Sequence, residues 1–329
     1  MKKILNHLFE NKTFTRQEAQ KILTDIASGT FNNSQIAAFI TAYGMRNITV
    51  EELQGFRDAM LDLCLKVDFS DFELIDLCGT GGDGKDTFNI STLASFVVAG
   101  AGHKVAKHGN YGVSSGCGSS NVMEYLGYQF NNDEGKLKRS LDDAGICFIH
   151  APLFHPAMKT VAPIRRELGV KTFFNMLGPM CNPAKPKNQM VGVFSLELAR
   201  IYAYLYQQTD KNYSIVHAID GFDEVSLTCD FKTFSKKGEA LVKISDLGFT
   251  ELNENEIQGG DTIESSAKIF MDVLEGNATD AQTNVVLCNA ALAIQTIKQD
   301  KTFADCYYEA EESLMSKRAL NSFKNLING

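Results

Sequence analysis

The sequence lacks an excess of positive charge, long apolar runs, paired cysteines and a phosphate-loop lysine, and each absence excludes a class of function. Lysine and arginine number 32 against 40 acidic residues, for a net charge of −8. Nothing general therefore draws the chain to nucleic acid or to an anionic membrane surface. Any anionic ligand has to be held by local groups. No apolar stretch approaches the roughly 18 residues that a membrane span needs. The first ten residues carry Asn6, His7 and Glu10, so they read as an amphipathic helix rather than a signal peptide. The expectation is a cytoplasmic protein with neither nucleic acid nor membrane among its partners. The eight cysteines are scattered with no C-x-x-C pair, which removes zinc and redox motifs. Cys147 and Cys288 sit in apolar runs and behave as small core residues, and the composition suits a reducing compartment in which disulfides do not form. No repeats and no low-complexity linkers occur.

What is present falls into two rhythms. At roughly 150 residues per domain, 329 residues suggest about two domains. Residues 1–66 read as a small bundle of about four helices, with capping boxes at Thr15/Glu18 and Thr49/Glu52 and helix stops near Gly29 and Gly44. After Ser70, short apolar strands (73–77, 104–106, 146–149, 189–194, 213–219) alternate with helices (91–100, 119–126, 133–144, 196–208). Such βα alternation predicts a mostly parallel sheet over residues 70–329, covered by helices, with ligands at the carboxyl ends of the strands. Two more helices are expected at 280–299 and 304–325. The helical segment 155–170 contains Pro156 and Pro163 and interrupts the α/β rhythm; it is expected to return to the bundle and complete it, leaving a cleft between the lobes.

The strongest local signal is the run from Asp76 to Gly84, with glycine at 79, 81, 82 and 84 directly after a strand. So many glycines let backbone N–H groups turn inward and approach an anion. The spacing Gly79, Gly81, Gly84 matches a dinucleotide fingerprint, but residues 85–88 separate the loop from the next helix. No carboxylate stands in residues 101–110, where a ribose hydroxyl would need one. No Gly-Lys-Ser or Gly-Lys-Thr occurs, so a Walker loop is absent as well. A phosphate cradle and a simple glycine-rich turn both remain open. Asn89, Ile90, Ser91 and Thr92 follow at a helix start, where such side chains either cap the helix or meet a phosphate; the Ser91 hydroxyl also suits magnesium. A third element, Lys107 to Ser115 followed by Ser119, offers a cation and several hydroxyls at the end of a strand. Against a diphosphate, each charge-assisted hydrogen bond contributes about 1.5–3 kcal/mol.

In order along the chain, Gly79 to Asp83, Asn89 to Thr92, Lys107 to Asn110 with Ser114, Ser115 and Ser119, Arg165 to Gly169, Phe174 to Pro179 with Asn182 and Pro183, and Asp223 with Glu224 resemble the anthranilate phosphoribosyltransferases. The resemblance covers essentially the whole chain. It implies a nucleoside phosphorylase/phosphoribosyltransferase-like fold of the α/β class: a small N-terminal helical bundle lobe and a larger α/β lobe with a mostly parallel central sheet. A homodimer formed through the helical lobe is implied too, as is magnesium, about two ions per monomer. The donor, phosphoribosyl pyrophosphate, would be bound by Gly79, Gly82, Asp83, Thr87, Asn89, Ile90, Ser91, Thr92, Lys107, His108, Gly109, Asn110, Tyr111, Gly112, Val113, Ser114, Ser115 and Ser119. Anthranilate would meet Gly79, Asn110 and Arg165, and the metal Ser91, Asp223 and Glu224. The chain departs from the family at Tyr111, where arginine is usual, and at Ser120 and Asn121, where Ala-Asp is usual.

The implied chemistry is attack of the anthranilate amine on the anomeric carbon of the donor as pyrophosphate leaves. The amine is an aniline and neutral at pH 7, so no strong base is needed; positioning and charge stabilisation carry the reaction. Asp223 and Glu224 follow a strand, where α/β sites lie, and Arg165 would take the substrate carboxylate as a planar fork. Two alternatives differ in kind. A nucleoside phosphorylase of similar architecture would need no metal pair and would give Arg165 no carboxylate to meet. A catalytically silent relative that binds nucleic acid would need basic surface, against a net charge of −8.

Overall fold

The computed structural model describes residues 1–112 and 118–329. Val113, Ser114 and Ser115, expected in the donor site, lie outside the described residues. The chain forms two compact units, one of residues 1–67 with 151–185 and the other of residues 68–150 with 186–329.

The first unit begins with α1 (Lys2–Phe9), α2 (Arg16–Ala27), α3 (Asn33–Gly44) and α4 (Val50–Leu63). Thr15, Asn32 and Thr49 each close a capping box, so α2, α3 and α4 start where their side chains satisfy the first N–H groups. The Glu52 of the third box is fully buried and does more than cap. Its carboxylate accepts hydrogen bonds from Phe14 N–H, Tyr43 O–H and the Arg46 guanidinium, tying three segments to one charge. Glycine at 55 lets α4 cross α2 closely, since a Cβ there would lie 2.2 Å from Arg16 O. The later segment adds α8 (Ala151–Phe154), α9 (Met158–Leu168) and α10 (Phe174–Leu177). It runs from 151 to 185 and is longer at both ends than the 155–170 expected. Phe173 explains part of that length: its ring stacks on Phe56 at 4.7 Å and meets Tyr43 at 5.1 Å.

The second unit is a seven-stranded sheet in the order β3-β2-β1-β4-β5-β6-β7. Its strands are β1 (Leu74–Gly79), β2 (Lys104–Gly109), β3 (Ile146–His150), β4 (Asn188–Gly192), β5 (Asn212–Ala218), β6 (Phe231–Ser235) and β7 (Gly238–Val242). The first five run parallel; β6 and β7 form an antiparallel hairpin at one edge. The sequence pattern shows neither β6 nor β7, because a half-exposed edge hairpin carries no continuous apolar run. Helices α5 (Ile90–Gly100), α6 (Ser119–Tyr125), α7 (Glu134–Ala144), α11 (Leu196–Gln207), α12 (Ile263–Glu275), α13 (Asp280–Ile297), α14 (Phe303–Met315) and α15 (Arg318–Asn328) surround the sheet. The single helix expected at 304–325 is two, divided at Lys317, whose φ of +64° no α-helix accommodates. Phe96, Phe148, Phe270 and Phe323 lie in the core between α5, β3, α12 and α15.

Chain order reverses at β1: β2 and β3 build out to one side, β4 and β5 to the other. In a doubly wound sheet the ends of the two strands flanking that reversal splay their loops apart and leave a crevice. The sheet thus directs attention to the carboxyl ends of β1 and β4.

Candidate active site

The glycine loop leaves the end of β1 and keeps Lys85 to Asn89 between itself and α5. Gly81, Gly82 and Gly84 have φ of +65°, +77° and +78°, a backbone that side-chain-bearing residues rarely adopt. Residues 254–259 brace the loop. Lys85 pairs with Glu254, Thr87 bridges Gln258, and Gly259 N–H donates to Asp86 O at 2.7 Å.

Asp223 and Glu224 arrive from the turn after β5 and reach this loop. Asp223 Oδ2 accepts from Gly81 N–H at 2.7 Å. Glu224 Oε1 accepts from Ser91 N–H at 3.0 Å, and Thr87 O–H lies 3.5 Å from its other oxygen. The approach is possible only because β1 and β4 both end in glycine. A Cβ on Gly79 would lie 2.3 Å from Asp223 Oδ2, and one on Gly192 would lie 1.4 Å from Asp223 O. Burial pushes the Asp223 carboxyl up to about 7, and the nearby Asp83 carboxylate adds to the rise. Burial likewise holds the Glu224 carboxyl well above the usual carboxylate range, with Asp223 the next cause.

Those observations test the fit of magnesium. Two carboxylates disfavoured as anions by burial, beside a hydroxyl and facing backbone N–H donors, suit a divalent cation that shares its coordination with a diphosphate. Among the described residues no group of three His, Cys, Asp or Glu side chains forms a closed cage. Magnesium does not ask for one, since it retains water and substrate oxygens.

Ser91 and Thr92 occupy the first turn of α5, and Asn89 at its N-cap makes no side-chain cap hydrogen bond. The capping explanation for this run therefore fails. Thr92 Oγ1 is buried without a hydrogen-bond partner. Ile90 is fully buried in the core, so only its backbone is available to a ligand.

Lys107 is 2% exposed; its ammonium donates to Leu77 O at 2.6 Å and lies 3.4 Å from Ser91 Oγ. Burial lowers its pKa, while Asp76, Cys78 and Glu224 work to keep it charged. The fully buried Asp76 accepts from His108 N–H at 3.0 Å and so fixes the start of the loop after β2. His108 and Gly109 finish that strand, with Gly109 opposite His150 of β3. Asn110 and Tyr111 are exposed; Asn110 Oδ1 accepts from Tyr111 N–H at 2.8 Å and Asn110 O from Ser119 O–H at 3.3 Å. Tyr111, in place of the family's arginine, donates to Glu124 at 2.8 Å and rests edge-on against His150 at 4.9 Å. Asn121, in place of the usual aspartate, accepts from Gly112 N–H and Gly118 N–H at 3.3 and 3.1 Å.

The second unit thus gathers Gly79, Gly82, Asp83, Thr87, Asn89, Ser91, Thr92, Lys107, Asp223 and Glu224 from the ends of β1 and β2, the start of α5 and the loops after β1 and β5. Arg165 belongs to the first unit, on α9, where its guanidinium donates to Asn175 Oδ1 at 3.1 Å and lies 5.3 Å from the Phe174 ring centre. Sequence reasoning missed the roles of Asp76, Gly192 and the bracing segment 254–259. Only Gly192 carried a usable signal, because a glycine inside a strand marks a close backbone approach.

Residues 71–320 match the family model described as "Glycosyl transferase family, a/b domain", and residues 2–64 the corresponding helical bundle domain. The anthranilate phosphoribosyltransferase of Christiangramia forsetii is 59% identical over 326 residues, covering 99% of this chain and 98% of the relative. That of Bacteroides thetaiotaomicron is 50% identical over 327 residues, with 99% and 98% covered. Among solved structures, anthranilate phosphoribosyltransferase from Thermus thermophilus superposes with a TM-score of 0.90 at 29% identity, covering 99% of this chain and 98% of that one. The Saccharomyces cerevisiae enzyme in complex with PRPP and Mg gives 0.91 at 26% identity, covering 99% and 96%. The chain belongs to the anthranilate phosphoribosyltransferase family and is an enzyme of its glycosyl-transfer class.

Proposed function

We propose that the chain transfers the 5-phosphoribosyl group from phosphoribosyl pyrophosphate to the amine of anthranilate, giving N-(5-phosphoribosyl)anthranilate and pyrophosphate, a step of tryptophan synthesis. The observation that carries this reading is the meeting of Asp223 and Glu224 with the glycine loop and the start of α5 beside the topological switch of the sheet. The yeast relative's complex with PRPP and Mg supports the donor and the ion.

In this reading the backbone N–H groups of Gly81 and Ser91, which the carboxylates hold in the ligand-free protein, would donate to phosphate oxygens of the bound donor. Asp223, Glu224 and Ser91 would hold magnesium, which supplies charge neutralisation and a template for the leaving pyrophosphate. Lys107 adds a fixed positive charge beside Ser91. The amine needs no base beyond water, so the protein's share of the work is alignment of its lone pair with the anomeric carbon. Asn110 would orient that amine and Arg165 would take the carboxylate. Burial lowers the Arg165 pKa from the ordinary arginine value, and a guanidinium is charged in proteins as a rule.

The remaining expectations belong to the same proposal: two domains with boundaries near residues 66 and 70, about two magnesium ions per monomer, a cytoplasmic location and a homodimer through the helical unit. No helix of the described residues is long and apolar enough to cross a membrane.

The test is loss of anthranilate fluorescence with purified protein, phosphoribosyl pyrophosphate and magnesium, omitting each in turn. Loss of signal only in the complete mixture is expected. Phosphorolysis of thymidine or uridine in its place would move the chain to the phosphorylase reading.

A further inference from the structure

The sheet is not filled at its antiparallel edge on the face that α13 covers. In β5, Ser214, Val216 and Ala218 alternate onto that face, and Val216 and Ala218 share the core of α13. The ladder sets Ser235 and Thr233 of β6 opposite Ser214 and Val216, with Gly238 and Ala240 of β7 opposite those two in turn. These small side chains stop short of Leu292 and Thr296 of α13 and Phe303 of α14, and a cavity of about 260 Å³ lies between. A close-packed interior rarely leaves a void larger than a water molecule. An apolar void of about 150 Å³ already accommodates benzene, so this one has room for a substituted ring.

Polar groups give the cavity a direction. Ser214 is 8% exposed, and among the described residues its hydroxyl makes no hydrogen bond. At the mouth, the hairpin turn places Lys236 and Lys237. Lys237 donates to Gln299 O at 2.5 Å and Lys236 to Asp210 O at 3.1 Å. Those partners are carbonyl oxygens, so neither charge is neutralised, and each ammonium keeps a spare donor. The acidic residue of the lining, Glu239, is paired with Lys232 on the neighbouring strand. The mouth is thus net positive on a chain whose net charge is −8. Ser214 lies near the amino end of β5, whereas Asp223 and Glu224 follow the carboxyl end, so this cavity is separate from the candidate active site.

We propose that the cavity is a second small-molecule site, which takes a carboxylate carried on a single-ring apolar body. The ring packs against Leu292 and Phe303, Lys237 supplies the charge for the carboxylate, and the Ser214 hydroxyl completes its hydrogen bonds.

The experiment is a fluorine NMR titration of the full-length protein with 4-fluorobenzoate, repeated with the neutral 4-fluorobenzamide. Arg165→Ala removes the cation assigned to the acceptor carboxylate, so saturable binding that persists in it belongs elsewhere. Ser214→Ala, Lys237→Met and Thr233→Leu are each added to that background, and every variant is melted without ligand. Saturable binding of 4-fluorobenzoate to Arg165→Ala is expected. Ser214→Ala and Lys237→Met each weaken it about tenfold, as does replacing benzoate by benzamide. Thr233→Leu abolishes it by filling the void. Ser214→Ala melts with its parent, because its hydroxyl has no bond to lose. Should Thr233→Leu prove unstable, Ser214→Ala and Lys237→Met decide. Absence of saturable binding in Arg165→Ala overturns the site, and so does binding that Ser214→Ala and Lys237→Met leave intact. Equal affinity for benzoate and benzamide overturns the assignment of a carboxylate.

Discussion

Gly79→Ala isolates the placement of one carboxylate from everything else in the fold. The backbone at Gly79 is not in the left-handed region, so alanine adopts it without strain. The added Cβ would stand 2.3 Å from Asp223 Oδ2 and 2.8 Å from its Cγ. Ordinary contact requires the carboxylate to retreat by about 1 Å. It is the end of a side chain and can do so, but the 2.7 Å bond from Gly81 N–H breaks as it moves. A hydrogen bond to a charged group contributes about 1.5–3 kcal/mol. A displaced carboxylate that forfeits one contact of that size to the cation in the transition state lowers kcat/KM about 10- to 150-fold. The loss should be largest at limiting magnesium and partly recovered by excess, because the displaced carboxylate weakens the metal site. Fluorescence assays across a magnesium series measure it, with melting curves as the check on folding. Gly192→Ala is the internal contrast: its Cβ would lie 1.4 Å from Asp223 O and 2.5 Å from its carbonyl carbon, and backbone cannot rotate away. That variant should lose stability as well as activity. Gly79→Ala with wild-type kcat/KM at limiting magnesium would refute the claim that the position of the Asp223 carboxylate matters.

Arg165→Ala should raise the anthranilate KM about tenfold or more while changing the donor KM far less, the cost of one lost charge-assisted pairing; equal changes in both remove its assigned role. Asp223→Asn combined with Glu224→Gln should abolish turnover at ordinary magnesium, and full activity of the pair would end the metal assignment. A pH series adds a sign. The Asp223 carboxyl is raised to about 7 in the folded protein from 3.8, so its protonated form is the favoured one. Metal-free protein therefore loses stability as pH rises from about 4 to about 7, where folded Asp223 still binds a proton that the unfolded chain has released. Magnesium must displace that proton, so its apparent affinity should climb between about pH 6 and 8, and a flat profile in both melting and activation contradicts the buried placement.

The fold was legible wherever a single local rule decided the outcome. Thr15/Glu18 and Thr49/Glu52 place two helix starts because the capping box needs only those residues and their spacing. The parallel strands of the interior show as short apolar runs because both faces are covered; β4 is buried along its length and β1 and β5 along most of theirs. The hairpin of β6 and β7 failed to show for the opposite reason, since residues 238–241 are exposed and their composition is that of a loop. The split between α14 and α15 was hidden as well. Lysine at 317 gives no hint of a left-handed conformation, which it adopts here with its ammonium held by Glu275 O.

The site divides along the same line. The glycine run and the Asp223/Glu224 pair are visible in one dimension, but their meeting depends on Gly192, 113 positions beyond Gly79 yet paired with it on adjacent strands. The role of Asp76 was out of reach for a related reason. The ladder between β1 and β2 pairs Ile75 with Val105, and at the next step a side chain takes over: Asp76 accepts from His108 N–H while Lys107 caps Leu77 O. A carboxylate in a buried strand reads as an error of patterning until its partner strand is known. Here it supplies both a hydrogen-bond acceptor and a countercharge where the ladder between β1 and β2 ends. The residues that break the pattern of the strand are thus the ones that end its ladder and fix Lys107 beside Ser91.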